Sequence, residues 1–246
     1  MERTLFVFEG ERLERLYFGS LEKVFFPNQE ERLLATFKND IYELYKEISA
    51  DDDLDLFELV KELNPSVNED DNLTRLRRDQ IGQIYLFFDF EPSDDQFGGR
   101  KLLEMLNRFD NETEHGKLFI SYPMVEAIRD IDNVEEFLAR SVAIEDSRGK
   151  IYKRMSAERG SQAYQDARKI TALEWRFLIE ANLRKANLII ESGNPLGPVN
   201  NQACIARKQL NEEDENLPRD PLFVLSAFPI FLADYFGLDI LRDSIT

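Results

Sequence analysis

Residues 84–91 read Ile84-Tyr85-Leu86-Phe87-Phe88-Asp89-Phe90-Glu91, the clearest pattern of a buried strand in the chain. Five consecutive apolar residues that run into acids predict a strand covered on both faces, as in a parallel sheet. Two other stretches repeat the pattern: residues 5–8 precede Glu9, and residues 117–121 end shortly before Pro123. The three segments are therefore predicted to be neighbouring strands of one sheet.

Helical patterns separate these strands along the chain. Residues 11–20, 54–63 and 101–109 carry apolar side chains at helical spacing, and residues 33–48 do the same behind a capping box predicted at Asn28 and Glu31. Residues 23–26 are predicted to be a further strand. This alternation predicts an α/β fold with a mainly parallel sheet flanked by helices, followed by a helical C-terminal part. The predicted division is 1–132 and 133–246.

Composition and charge exclude several classes of protein. The 246 residues include one cysteine and one histidine, which argues against disulfides, a multi-histidine metal site and a Ser-His-Asp relay. The net charge of −17 argues against a broadly basic nucleic-acid binder, so any nucleic-acid contact must come from a local site. No signal peptide or membrane segment is predicted, and the apolar run 222–233 is expected to be a buried core helix. A cytoplasmic location is expected.

Acids follow the predicted strands at the points where ligands gather in open α/β sheets. Glu9 follows the first strand, Asp89 and Glu91 follow the central one, and Glu126 lies one turn beyond the third. Converging carboxylates repel one another unless a cation lies between them, and Mg²⁺ favours carboxylate oxygens. The alternative is structural, because Asp and Glu are also common at turns and helix caps.

Three motifs in this order resemble a known family. Residues 8–18 carry Glu9-Gly10 at a strand end with Glu14 about one turn later, residues 87–91 carry Asp89 and Glu91, and residues 122–126 end in Glu126. This set resembles TOPRIM domains, and it is closest to the RloB-like and OLD-type (overcoming lysogenization defect) nucleases. The likeness covers roughly residues 4–130, with a helical insertion at about 28–80. Glu91 stands where the second Asp of the motif is usual, and Pro92 follows it.

The resemblance implies metal-dependent hydrolysis of phosphodiester bonds with Mg²⁺ or Mn²⁺. It implies that Glu9 is a metal ligand or general base and that Asp89 and Glu91 hold metal. Glu14 and Glu126 would complete the shell of a second metal. Such nucleases also need a cation for the charge that develops on phosphate, and Lys153 is the candidate for this catalytic role.

Two basic clusters are candidate contacts to nucleic acid. The first surrounds Lys153 and includes Lys150 and Arg154, and the second comprises Arg75, Arg77 and Arg78. In both clusters the structural alternative is a solvated helix start or an ordinary exposed surface.

Two functions remain open at this stage. In the first, the chain is a TOPRIM nuclease acting on DNA or RNA, as the effector of a bacterial anti-phage defence system beside a protein partner such as an ATPase. In the second, it is a non-catalytic TOPRIM-like module that docks to an ATPase or another defence partner. The oligomeric state stays open, with a homo-oligomer among the alternatives.

Overall fold

A five-stranded sheet forms the centre of the protein. The computed structural model describes residues 3–26, 32–51, 54–63, 75–199 and 201–241. In chain order, the strands are β1 (Arg3–Phe8), β2 (Arg32–Thr36), β3 (Ile81–Asp89), β4 (Asp110–Asn111) and β5 (Gly116–Ser121). Their order across the sheet is β2-β1-β3-β5-β4, and only β4 runs antiparallel to its neighbour. The prediction of a mainly parallel sheet with β1, β3 and β5 as neighbours is confirmed.

Helices flank this sheet and make up most of the C-terminal half. They are α1 (Leu13–Phe25), α2 (Ile41–Ala50), α3 (Leu56–Leu63), α4 (Gly99–Arg108), α5 (Val134–Ala139), α6 (Gly149–Arg159), α7 (Ala172–Ile189), α8 (Gln202–Lys208) and α9 (Ala227–Phe236). Short 3₁₀ turns connect several of them, including Arg78–Gln80 and Val125–Arg129. A two-stranded antiparallel ribbon, β6 (Ser141–Val142) with β7 (Leu222–Phe223), was not predicted.

The structure corrects two predictions between residues 23 and 48. Residues 23–25 belong to the last turn of α1 and not to a strand, because Phe25 and Phe26 extend its buried face against Phe236. The predicted helix 33–48 is instead the strand β2 followed by α2. Leu33 and Ala35 alternate into the core, a period of two that the helical spacing of neighbouring residues concealed. The predicted capping box at Asn28 and Glu31 lies outside the described residues.

The C-terminal helices cover one face of the sheet. Phe231 of α9 packs 5.8 Å from Phe6 and 5.1 Å from Tyr85, and Phe228 packs 4.9 Å from Phe87, measured between ring centroids. Burial of these large rings is the main favourable contribution at this face. Aromatic contacts therefore cross the predicted division at 132/133, which stays a prediction.

The apolar run 222–233 is largely buried, as predicted, but it is not one helix: residues 222–223 form β7, and α9 begins only at Ala227. Within the described ranges, none of the helices combines the length and apolar character that crossing a bilayer requires.

Candidate metal site at the carboxyl edge of the sheet

Two acids meet where β1 and β3 end. The strands are parallel and adjacent, with Phe8 opposite Phe87, so their carboxyl ends lie at the same edge of the sheet. The backbone N–H of Glu9 donates to Phe87 O at 3.0 Å, which extends the ladder by one residue. The backbone N–H of Asp89 then donates to Glu9 Oε2 at 2.8 Å. The fold thus places Glu9 and Asp89, which the strand pattern predicted at neighbouring strand ends, next to each other.

Glu14 joins this edge from the first turn of α1. Its side chain is only 9% exposed, and its Oε1 accepts the backbone N–H of Gly10 at 3.2 Å. A Cβ at position 10 would lie 2.7 Å from that oxygen, closer than real Cβ contacts allow. The Glu9-Gly10 pair therefore has a steric explanation: the absent side chain of Gly10 leaves room for the carboxylate of Glu14.

Glu126 enters from the 3₁₀ turn that follows β5, and it is 2% exposed. Its Oε1 lies 3.3 Å from the Nζ of Lys153 on α6. Its Oε2 is buried and has no hydrogen-bond partner. A buried carboxylate oxygen without a partner is costly, and a bound cation would satisfy it.

The carboxyl pKa values reflect this crowding. Burial is the largest cause that raises the pKa of Glu9 and Asp89 well above the ordinary range, and repulsion from neighbouring acids adds to it. The pKa values of Glu14 and Glu91 are also raised, again chiefly by burial. The ammonium of Lys153 opposes the rise at both of these last two residues. The edge therefore holds acids with little compensating charge, an environment that a divalent cation would relieve.

Glu91 has two further acidic neighbours that the sequence did not indicate. Carboxylate oxygens of Asp40, Glu91 and Asp94 lie within 4.8 Å of one another. No further set of three His, Cys, Asp or Glu residues is this close in the part of the chain that the structure describes. The charge of Glu91 also contributes to the raised pKa values of Glu9 and Asp89.

Local structure places both missed acids. Asp40 caps α2, where its Oδ1 accepts the backbone N–H groups of Tyr42 and Glu43 at 2.8 and 2.9 Å. Asp94 lies in the turn after β3 and accepts the backbone N–H of Gln96 at 2.7 Å. The helix predicted to run through residue 40 concealed the cap at Asp40. Asp94 was easier to identify from the sequence than Asp40, because it follows Glu91 by only three residues.

A cleft of about 270 Å³ opens beside Glu91 and Asp94. Its opposite wall is the amino end of α6, residues 147–149, where Arg148 is exposed. No side chain caps that end of α6. Uncapped backbone N–H groups at a helix start favour anions, so the cleft combines an acidic and an anion-attracting wall.

The basic residues predicted to contact nucleic acid lie in two places. One group is on α6, near the carboxyl ends of the strands, and the other precedes the start of β3. Lys153 lies beside Glu126 at the acid site, which comprises the carboxylates of Glu9, Glu14, Asp89, Glu91 and Glu126. Lys150 and Arg154 are exposed on the same helix α6, where Arg154 lies 3.9 Å from Glu158.

The arginine cluster does not join the acid site. Arg75, Arg77 and Arg78 precede β3, and a nine-residue strand spans roughly 25 Å between its ends. Arg77 pairs with Asp79, and Arg78 donates to backbone carbonyl groups. These arginines are close to the metal strand in sequence but lie at the opposite end of β3 from the acids, so their contact with nucleic acid stays a prediction that is separate from the metal site.

The donors at this edge suit a hard divalent cation. Mg²⁺ is commonly held by one or two carboxylates and keeps several waters, so a tight cage of protein ligands is not required. Glu9 and Asp89 would be the central ligands, with Glu14, Glu126 and Glu91 around them. Compared with known proteins, the chain matches no family model, no curated protein and no solved structure.

Proposed function

We propose that the chain is a metal-dependent nuclease of TOPRIM type that hydrolyses phosphodiester bonds in DNA or RNA. The observation that supports it best is the position of Glu9 and Asp89 at the carboxyl edge of the parallel sheet, where Glu9 Oε2 accepts the backbone N–H of Asp89 at 2.8 Å. The partnerless Oε2 of Glu126 adds a second reason to expect a cation there. The ordered motifs that resemble TOPRIM nucleases give the reaction class.

In this proposal each residue has a defined task. Bound Mg²⁺ or Mn²⁺ would supply Lewis-acid activation of water and charge stabilisation at phosphate. Glu9 and Asp89 would hold the cation, or Glu9 would act as the general base that accepts a proton from the attacking water. Lys153 presents an ammonium beside Glu126, where it can pair with a phosphate oxygen of the substrate.

The biological setting is proposed from the resemblance. The chain would act as the effector of an anti-phage defence system and work with a protein partner such as an ATPase. Its net charge of −17 disfavours binding of nucleic acid over the whole surface. Affinity for the substrate would come from the basic residues Lys150, Lys153 and Arg154 of α6, or from a basic partner.

A cleavage assay tests the proposal. Plasmid DNA, single-stranded DNA and tRNA are incubated with the protein in Mg²⁺, in Mn²⁺ and in EDTA. We expect cleavage that requires the metal and that falls about a hundredfold or more in Glu9→Gln and in Asp89→Asn, the usual size of a lost general base or metal ligand. Glu58→Gln is the matched control, since Glu58 is an exposed glutamate of α3 paired with Lys61. Cleavage that survives both site variants would refute the proposal.

One observation favours the non-catalytic alternative. The carboxylate of Glu91 is grouped with Asp40 and Asp94, and those three acids make a closer set than Glu91 makes with Glu9 and Asp89. A non-catalytic module that docks to an ATPase or another defence partner, with these acids holding a metal for structure, would explain that arrangement. Tight Mn²⁺ binding by the wild type, with no cleavage of any of the three substrates, would select this alternative.

A further inference from the structure

One positively charged side chain of the protein, the ammonium group of Lys153, lies at the acid site. The ion pairs among the described residues include one to the acids of this edge, from Lys153 Nζ to Glu126 Oε1 at 3.3 Å. The same ammonium stabilises the charged forms of Glu14 and Glu91, which come from two other elements. Lys153 thus acts on three acids at once and provides a single positive charge against all of them.

The backbone of Lys153 is firmly held. Arg129, in the turn that carries Glu126, donates from Nη2 to the carbonyl oxygen of Lys153 at 2.9 Å. Asp130, at the end of the same turn, is 0% exposed. It accepts the Tyr152 hydroxyl at 2.8 Å and Arg159 Nε at 2.6 Å, and both of these residues lie on α6. Charge-assisted bonds of this kind fix the start of the Lys153 side chain relative to Glu126.

The ammonium end is not held in the same way. The side chain of Lys153 is 53% exposed. Water can solvate this ammonium in place of the carboxylate, but the side chain of Glu126 is only 3% exposed, so its carboxylate needs another cation when the ammonium leaves. Lysine has a flexible four-carbon stem, so the ammonium can leave Glu126 while the backbone stays in place.

We propose that Lys153 is a tethered counter-cation of the acid site, which pairs with the acids when no divalent cation is bound and is displaced when one enters. The inference rests on the proposed function, since it requires that the acids bind metal. Displacement would leave the ammonium close by and without a carboxylate partner. Metal binding would then prepare a positive group for an anionic substrate.

The test measures Mn²⁺ affinity in the absence of nucleic acid, by calorimetric titration. Lys153→Gln removes the internal competitor and should lower the dissociation constant by about threefold to tenfold, as expected when one unit charge is removed beside a divalent ion in a partly solvated site. Lys153→Arg keeps the charge and should bind Mn²⁺ about as the wild type does. Thermal melting in EDTA confirms that each variant is folded.

Lys208→Gln controls for the change in net charge. Lys208, at the end of α8, is 42% exposed and pairs at 3.0 Å with Glu191, so it resembles Lys153 in its own exposure, but its partner is a surface glutamate outside the acid site. We expect its Mn²⁺ affinity to equal that of the wild type. A Lys208→Gln protein that gains as much affinity as Lys153→Gln would overturn the proposal in favour of a general charge effect.

The remaining outcomes separate this inference from the proposed function. If wild type and Lys153→Gln bind Mn²⁺ equally, or the variant binds more weakly, the counter-cation role is refuted while the metal site stands. If neither protein binds Mn²⁺, both ideas fail. If only Lys153→Gln binds, the counter-cation role is supported and the wild-type chain cannot be the proposed metal-dependent nuclease.

Discussion

Gly10 shows how one residue can shape the acid site without contributing a polar group. The position needs no side chain because the Glu14 carboxylate occupies the space where a Cβ would stand. Gly10 also donates its backbone N–H to that carboxylate, so it both admits Glu14 and orients it. The Glu-Gly pair is therefore explained by contact at this edge, and the flexibility of glycine is not needed to account for it.

The substitution Gly10→Ala tests that explanation. The new methyl group should push the Glu14 carboxylate away from the edge and reduce, without abolishing, the stabilisation that Mn²⁺ gives the protein. Stability in EDTA should change by no more than about 1 kcal/mol, since alanine also restricts the unfolded chain. Melting curves with and without Mn²⁺ measure both effects.

Gly19→Ala is the control for this substitution. Gly19 lies within α1 with open space around its Cβ position, so alanine there should stabilise the helix by about 0.5–1 kcal/mol. Its response to Mn²⁺ should equal that of the wild type. A normal Mn²⁺ response in Gly10→Ala would show that Glu14 is not part of the site.

Among the elements, the 3₁₀ turn Val125–Arg129 and α6 depend on each other through a buried charge. Asp130 accepts hydrogen bonds from Arg140 Nη1 at 3.1 Å, from Arg159 and from Tyr152. Removing one partner of such a network leaves the opposite charges partly buried without compensation. The network thus joins the turn that carries Glu126 to the helix that carries Lys153.

Asp130→Asn should lower the free energy of unfolding by about 3–5 kcal/mol, because Arg140 and Arg159 lose their shared counter-charge. Urea denaturation at neutral pH measures the loss. Asp166→Asn is a matched control: Asp166 pairs with Arg168 and Lys169 at the surface, and asparagine can still cap the following turn. A loss in Asp130→Asn as small as the loss in Asp166→Asn would contradict the structural importance of the network.

The elements also show what the sequence can and cannot predict. β1, β3 and β5 were predictable because each is a continuous apolar run bounded by turn residues. β2 was not, since Leu33 and Phe37 are four residues apart and fit a helix as well as a strand end. Tertiary pairing decides such short segments: β2 lies parallel to β1, with Leu33 opposite Leu5.

The residues of the acid site likewise include some that the sequence predicted and some that it did not. Glu9 and Asp89 were predictable because parallel strands deliver their ends to one edge. Glu126 was predicted from its place one turn beyond the third strand, whereas Glu14 was predicted only through the family resemblance, because it lies on the helix that follows β1. Asp40 comes from a helix cap far away in sequence, and no local pattern linked it to Glu91.

In the molecule as a whole, the C-terminal half contributes both to the hydrophobic core and to the acid site. α9 covers the aromatic face of β1, β3 and β5, and α6 brings Lys153 to the acid edge. Sequence patterns predicted that the C-terminal part is helical. They did not predict what these helices pack against, because long-range contacts determine the packing. The acid site is therefore assembled from both halves of the chain.

Anomalous X-ray scattering from crystals grown with Mn²⁺ tests most directly whether this edge binds a cation. We predict an anomalous peak with oxygens of Glu9 and Asp89 in its coordination shell, at the distances of about 2.0–2.2 Å usual for such ions. Glu126 or Glu14 should lie in or next to that shell. The absence of a peak at these residues, including a result in which Mn²⁺ is held only by Asp40, Glu91 and Asp94, would contradict the assignment.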